Sequence, residues 1–246
     1  MDESFRLLNF QGRVGGNSGV YGQGDFSALR SEVFGQGTWE VASPASIKDF
    51  SAVGYYFGNE IRSVLKSPVG LINVASGGTP VESWVDSKIL AGRTDLKRMV
   101  KGNWLDNPIL DIWCKSRARG NLRDGLLGVY EMSQNDLGPN HTFKPGFMFD
   151  ATIAPFQPMA IAGVLWYQGE SNAESIARVK QYDQVFPVLI ESWRRGFQNL
   201  LFSKNKFLSP SDNSPWPMGG LNLSNQPIRG HTSSDQSDAD ICRIIQ

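Results

Sequence analysis

A chain of 246 residues is ample for one α/β domain with a full core, and its 24 Lys and Arg balance 24 Asp and Glu. With no net field to draw it to phosphate or to an anionic surface, no nucleic-acid partner and no membrane partner are expected. Two cysteines, Cys114 and Cys242, cannot build a disulfide framework, and with only His141 and His231 beside them no metal is predicted.

Along the chain, Met1-Asp2-Glu3-Ser4-Phe5-Arg6 lacks the basic-then-apolar order of a signal peptide, and no apolar run reaches the length of a membrane span. Residues 11–37 are glycine-rich and irregular. Gly22-Gln23-Gly24-Asp25 superficially looks like a phosphate loop, but no strand precedes it and no Lys or ribose-binding acid follows, so a surface loop is expected. After Ser43-Pro44, the positions Phe50, Val53, Tyr56 or Phe57, Ile61 and Leu65 recur at helical spacing, which predicts an amphipathic helix with its aromatics in the core.

Val69 to Val74 reads as a short buried strand, followed by the loop Ala75-Ser76-Gly77-Gly78-Thr79-Pro80 and a helix over Val81 to Trp84. Residues 86–127 read as helical cover carrying solvated charges, with Cys114 as a small buried thiol. Gln134 to Pro145 is polar and turn-rich; there Asn140-His141-Thr142, like Asn222-Leu223-Ser224 later, matches the short glycosylation pattern.

Ile161 to Tyr167 is apolar and β-branched or aromatic, as in a strand covered on both faces. It passes straight into Gln168-Gly169-Glu170-Ser171-Asn172, which crowds two amides and a carboxylate into one loop, unless Asn172 simply caps the next helix. Val179, Tyr182, Phe186, Leu189 or Ile190, Trp193 and Phe197 keep helical spacing around Pro187, which predicts a kink or two abutting helices. Past Gln198, Ser, Asn, Pro, Asp and Gly dominate, and residues 199–246 are expected to form a divergent, poorly ordered tail.

Strands alternating with helices favour a parallel sheet covered on both faces. Ligands of such sheets bind beyond the carboxyl ends of the strands, so the loops at 75–79 and 168–172 should meet at one edge.

Two stretches carry a family resemblance. Trp166-Tyr167-Gln168-Gly169-Glu170-Ser171-Asn172 resembles the third signature block of the sialate O-acetylesterases, carbohydrate esterases of the SGNH-hydrolase type. Pro68 to Asn73 followed by Gly77-Gly78-Thr79-Pro80-Val81-Glu82-Ser83-Trp84 resembles the second block, and weaker matches lie at Phe50 to Gly58 and Phe186 to Arg194. The resemblance implies a three-layer α/β fold over residues 1–198, an O-acetylated sugar as substrate, no cofactor, and a secreted or lysosomal setting.

On the same footing, the Gly78 N–H, with Gly77, and the Gln168 and Asn172 amides become candidate oxyanion and positioning groups. Glu170 becomes a candidate to orient a histidine, and Thr79 and Trp166 candidates for substrate contact. Ester hydrolysis also needs a serine and a histidine base. The family's Gly-Gln-Ser-Asn nucleophile block has no counterpart here, and neither histidine has the family's Asp three residues before it. The chain therefore reads as an incomplete member. Ser76, which stands where the family usually has tryptophan, and Ser171 are the weak alternatives as nucleophile, and an inactive remnant that binds acetylated sugar or a protein partner is the alternative function.

Overall fold

A computed structural model describes residues 4–157, 159–197 and, as backbone, 241–245. Five strands form one sheet in the order Trp39–Val41, Phe5–Asn9, Val69–Asn73, Ile241–Ile245, Gly163–Leu165. All neighbours run parallel except the edge strand Trp39–Val41, which is antiparallel to Phe5–Asn9. The protein is thus a mixed α/β structure built on a largely parallel sheet.

Alternation along the strands divides the core. Phe5, Leu7, Val69 and Leu71 pack into one apolar cluster with Phe50 and Ile61, whereas Leu8 and Ile72 join a larger cluster that includes Trp84, Trp104, Val185 and Trp193. The helix Ala52–Leu65 belongs to the first cluster. Ser51 caps it by accepting from Gly54 N, and Gly54, Gly58 and Ile61 are its buried positions. A methyl group at Gly58 would lie 2.7 Å from Leu71 Cδ1, so glycine here allows the helix to approach the sheet closely. That stripe turns Val53 and Tyr56 outward, 56% and 72% exposed, which corrects the expected place of Val53; of the two aromatic alternatives it is Phe57 that packs against the cluster.

Ile176–Gly196 is a single helix capped by Ser175, with Val185, Val188, Leu189 and Trp193 buried, rather than two abutting segments. Pro187 deprives the Asp183 carbonyl of its helical donor, but both residues are exposed and water can replace that bond. Val179, expected in the buried stripe, is 46% exposed.

Two further expectations change. Residues 141–149, anticipated as part of a polar turn-rich stretch, are continuously buried. At the far end of the chain, Ile241–Ile245 occupies the sheet between Val69–Asn73 and Gly163–Leu165, where a poorly ordered tail was expected. Ile-Cys-Arg-Ile-Ile is β-branched enough for that position, and five apolar-rich residues suffice to bridge two short strands. The rest of the expected tail, with His231 and Asn222, lies outside the described residues.

Candidate active site

The Val69–Asn73 strand ends in a tight turn centred on Gly77 and Gly78. Gly78 has φ +78°, a conformation that costs a side-chain-bearing residue strain, and Thr79 Oγ1 closes the turn by donating to Ser76 O at 2.8 Å. Among the described residues neither the Gly77 nor the Gly78 N–H has an acceptor. Two unpaired backbone donors in one exposed turn call for water or a ligand oxygen.

The loop after Gly163–Leu165 meets this turn at the same sheet edge, as expected. Ser171 Oγ donates to Gly78 O at 2.8 Å, and Gln168 Nε2 donates to Thr79 O at 3.0 Å and to Asn172 Oδ1 at 2.8 Å. Asn172 Oδ1 also accepts from Val81 N at 2.9 Å, while its Nδ2 donates to Glu82 Oε2 at 3.1 Å. The Asn172 side chain is therefore buried and tied at both ends to the scaffold, with Oδ1 accepting twice and Nδ2 held on Glu82, so it is not presented to a substrate. Gln168 has likewise committed its donor nitrogen.

Behind Asn172 lies a buried charge network that periodicity did not reveal. Glu82 Oε1 pairs with Arg178 Nη2 at 2.8 Å, and Asp111 Oδ2 stands 4.0 Å from Arg178 Nε. Burial on its own would lower the Arg178 pKa, but the Glu82 charge and hydrogen bond outweigh it and hold the guanidinium raised. Asp111 also caps the helix Ile112–Asn121 by accepting from Cys114 N. The Cys114 thiol, pushed up by burial and by the Glu82 and Asp111 charges, is no nucleophile. Glu82 was legible as part of the Pro80-Val81-Glu82-Ser83-Trp84 stretch, but nothing in the sequence tied it to Arg178.

The remaining sequence candidates separate clearly. Glu170 is exposed and accepts from Gly169 N at 3.1 Å. Thr79 is buried, and its hydroxyl also accepts from Trp84 Nε1 at 2.9 Å. Trp166 donates to Tyr182 OH at 3.0 Å and packs edge-on to Trp84 and Trp193, which makes it a core residue rather than an open face. Ser171 donates its proton to Gly78 O, so its oxygen is held as a brace.

His141 is fully buried. Its Nδ1 accepts from Phe143 N at 3.0 Å, so the proton of the neutral ring sits on Nε2, 3.1 Å from Asn121 Oδ1 and 3.2 Å from Tyr21 OH. Burial lowers its pKa to about 3, and a protonated ring would turn an N–H against the Phe143 N–H. It is a structural histidine. Next to it, Asn140 is committed through Nδ2 to Leu29 O and through Oδ1 to Lys144 Nζ, and Thr142 is fully buried, which excludes this glycosylation pattern in the folded chain. Among the described residues no cluster of His, Cys, Asp or Glu is arranged to hold a metal ion, and no helix is long and apolar enough to cross a membrane.

Fold and edge together define an α/β protein whose strand ends display a glycine turn with free backbone donors, buttressed by a polar loop. Residues 144–212 match the family model described as carbohydrate esterase, sialic acid-specific acetylesterase. That match includes the Trp166 to Asn172 block and runs on past Gln198, where no resemblance was read. The sialate O-acetylesterase of Rattus norvegicus is 31% identical over 159 residues, 61% of this chain and 26% of the rat protein. That of Homo sapiens is 31% identical over 150 residues, 61% of this chain and 22% of the human protein. A carbohydrate acetylesterase from Xanthomonas citri superposes with a TM-score of 0.49 at 25% identity, covering 80% of this chain and 32% of that one. Over these stretches the chain is similar to the sialate O-acetylesterases, and it spans about a quarter of the length of the curated relatives it matches.

Proposed function

We propose that this chain carries the oxyanion and substrate-positioning part of a sialate O-acetylesterase-like carbohydrate esterase, which removes O-acetyl groups from sialic acid or related sugars. The observation that carries this reading is the pair of free N–H groups at Gly77 and Gly78, in a turn braced from the 168–172 loop. Backbone donors fixed before the reaction suit the charge that develops on an ester carbonyl under attack. The sheet, with Ala52–Leu65 packed in one cluster and Ile176–Gly196 in the other, reads as the three-layer arrangement of SGNH-type hydrolases, drawn from the described part of residues 1–198 together with the strand Ile241–Ile245.

In this reading the Gly78 N–H is the principal donor and Gly77 the second. Gln168 and Asn172 act by positioning the turn, and exposed Glu170 is free to orient a histidine. Serine and base are drawn from outside the described residues, since His141 is committed to Tyr21, Asn121 and Phe143.

The test is acetate release from p-nitrophenyl acetate and from 9-O-acetyl-N-acetylneuraminic acid, side by side with a curated relative. Donors without an assembled nucleophile and base still leave some acceleration in serine hydrolases, so slow hydrolysis far below the relative is expected. Turnover equal to the relative's, abolished by Ser76→Ala or Ser171→Ala, would overturn this division of roles.

A further inference from the structure

The segment 15–19 is pinned over the glycine turn by one stripe of the helix Ile112–Asn121. Trp113, Arg117 and Asn121 recur every four residues and share a face. Arg117 Nη2 donates to Asn17 O at 2.7 Å and its Nε reaches Gly16 O at 3.4 Å, while Asn121 Nδ2 donates to Ser18 O at 2.6 Å and to Gly19 O at 2.7 Å. From the other side, Tyr21 OH donates to Gly15 O at 3.0 Å. A glycine-rich run that reads as a surface loop is thus held by its carbonyls in one conformation.

That conformation lays the Asn17 side chain against the turn. A methyl group at Gly78 would stand 3.1 Å from Asn17 Oδ1 and 3.2 Å from Phe143 Cζ, and one at Gly77 would stand 3.4 Å from Asn17 Nδ2. Among the described residues the Asn17 amide has no hydrogen-bond partner. Phe143 in turn stacks on Trp113, with ring centroids 5.8 Å apart and an interplanar angle of 28°. Trp113 is 41% exposed, whereas Trp84, which borders the turn from within, is wholly buried.

We propose that Asn17 and Trp113 form the ring-binding part of the site. The Trp113 indole takes the apolar C–H face of an acetylated pyranose, and the Asn17 amide bonds a hydroxyl or the ester carbonyl beside the Gly77 and Gly78 donors. Sugars present both kinds of surface, and an aromatic face paired with a few fixed polar groups is the chemistry that recognises them. The inference rests on the esterase reading of the turn and assigns to Trp113 the sugar contact that the sequence suggested for Trp166.

The experiment measures dissociation constants of the full chain for 9-O-acetyl-N-acetylneuraminic acid and, as a probe without a ring, for sodium acetate. Trp113→Ala should weaken the sugar about tenfold or more, Trp113→Phe should recover most of that loss, and Asn17→Ala should weaken the sugar several-fold. Acetate affinity should stay within about twofold in both Trp113 variants, and melting temperatures should match the parent. Unchanged sugar affinity in Trp113→Ala and Asn17→Ala, an equal loss of acetate and sugar in Trp113→Ala, or a parent chain that binds no sugar would each overturn the inference. Sugar binding that depends on Trp113 without any ester hydrolysis would leave it standing and count against the esterase reading alone.

Discussion

The two loops that meet at the sheet edge make opposite use of their polar groups. The 168–172 loop holds two amides, a hydroxyl and a carboxylate, and turns most of them inward to Thr79, Val81, Glu82 and Gly78. The 75–79 loop spends the Thr79 hydroxyl and the Ala75 N–H within the scaffold, and among the described residues it leaves the Gly77 and Gly78 N–H groups free. A polar motif next to a site is therefore not the same as the site: the 168–172 side chains act as the frame, and the glycine turn is what they frame.

The contrast breaks most severely at the frame's deepest point. Arg178→Ala removes the ion-pair partner of the buried Glu82, and should cost about 3–5 kcal/mol in urea unfolding. A loss under about 1 kcal/mol would mean that the frame is not held from Arg178.

Acid should loosen the structure through His141, the histidine under the 15–19 segment. Its folded pKa, about 3, lies below the ordinary value of 6.5, so only the unfolded chain takes up the proton between these values. Stability is full above pH 6.5 and falls with decreasing pH towards about 3, at up to about 1.4 kcal/mol per pH unit. Urea midpoints at pH 7 and pH 4.5 should differ accordingly, and His141→Gln should flatten the difference even if it lowers both midpoints.

Within the 168–172 loop itself, neighbouring residues should part company. Asn172→Ala removes the acceptor for Val81 N–H and the donor to Glu82, at a cost of about 1–3 kcal/mol. Glu170→Gln, on the exposed side, should change stability by no more than about 0.5 kcal/mol. Equal costs in thermal denaturation would erase the division between frame and rim.

Much of this arrangement was readable from local pattern. The strands at Val69–Asn73 and Gly163–Leu165, a helix start after Ser43-Pro44, and the meeting of two motif loops follow from apolar runs and turn residues, whereas the separate start of Ala52–Leu65 at Ser51 was not read. What stayed hidden depends on partners far apart in the chain. Glu82 and Arg178 are 96 positions apart, and Tyr21 and His141 are 120 apart, so no window shows that either pair is buried together. Asn172 was assigned to substrate because its chemistry fits an oxyanion; only tertiary contacts reveal that its amide is already taken. The same holds for Ile241–Ile245, whose apolar run is shorter than the polar stretch before it and gains its place from two strands that flank it.

The most direct measurement is a sodium acetate titration of the labelled protein followed by NMR, with the backbone amides of Gly77 and Gly78 and the side-chain amides of Gln168 and Asn172 assigned. The account predicts that the two glycine N–H signals shift in a saturable way while the Gln168 and Asn172 side-chain signals stay in place. Saturable shifts of those side-chain amides with the glycine signals unmoved would contradict it, because the loop described as frame would then be the part that binds.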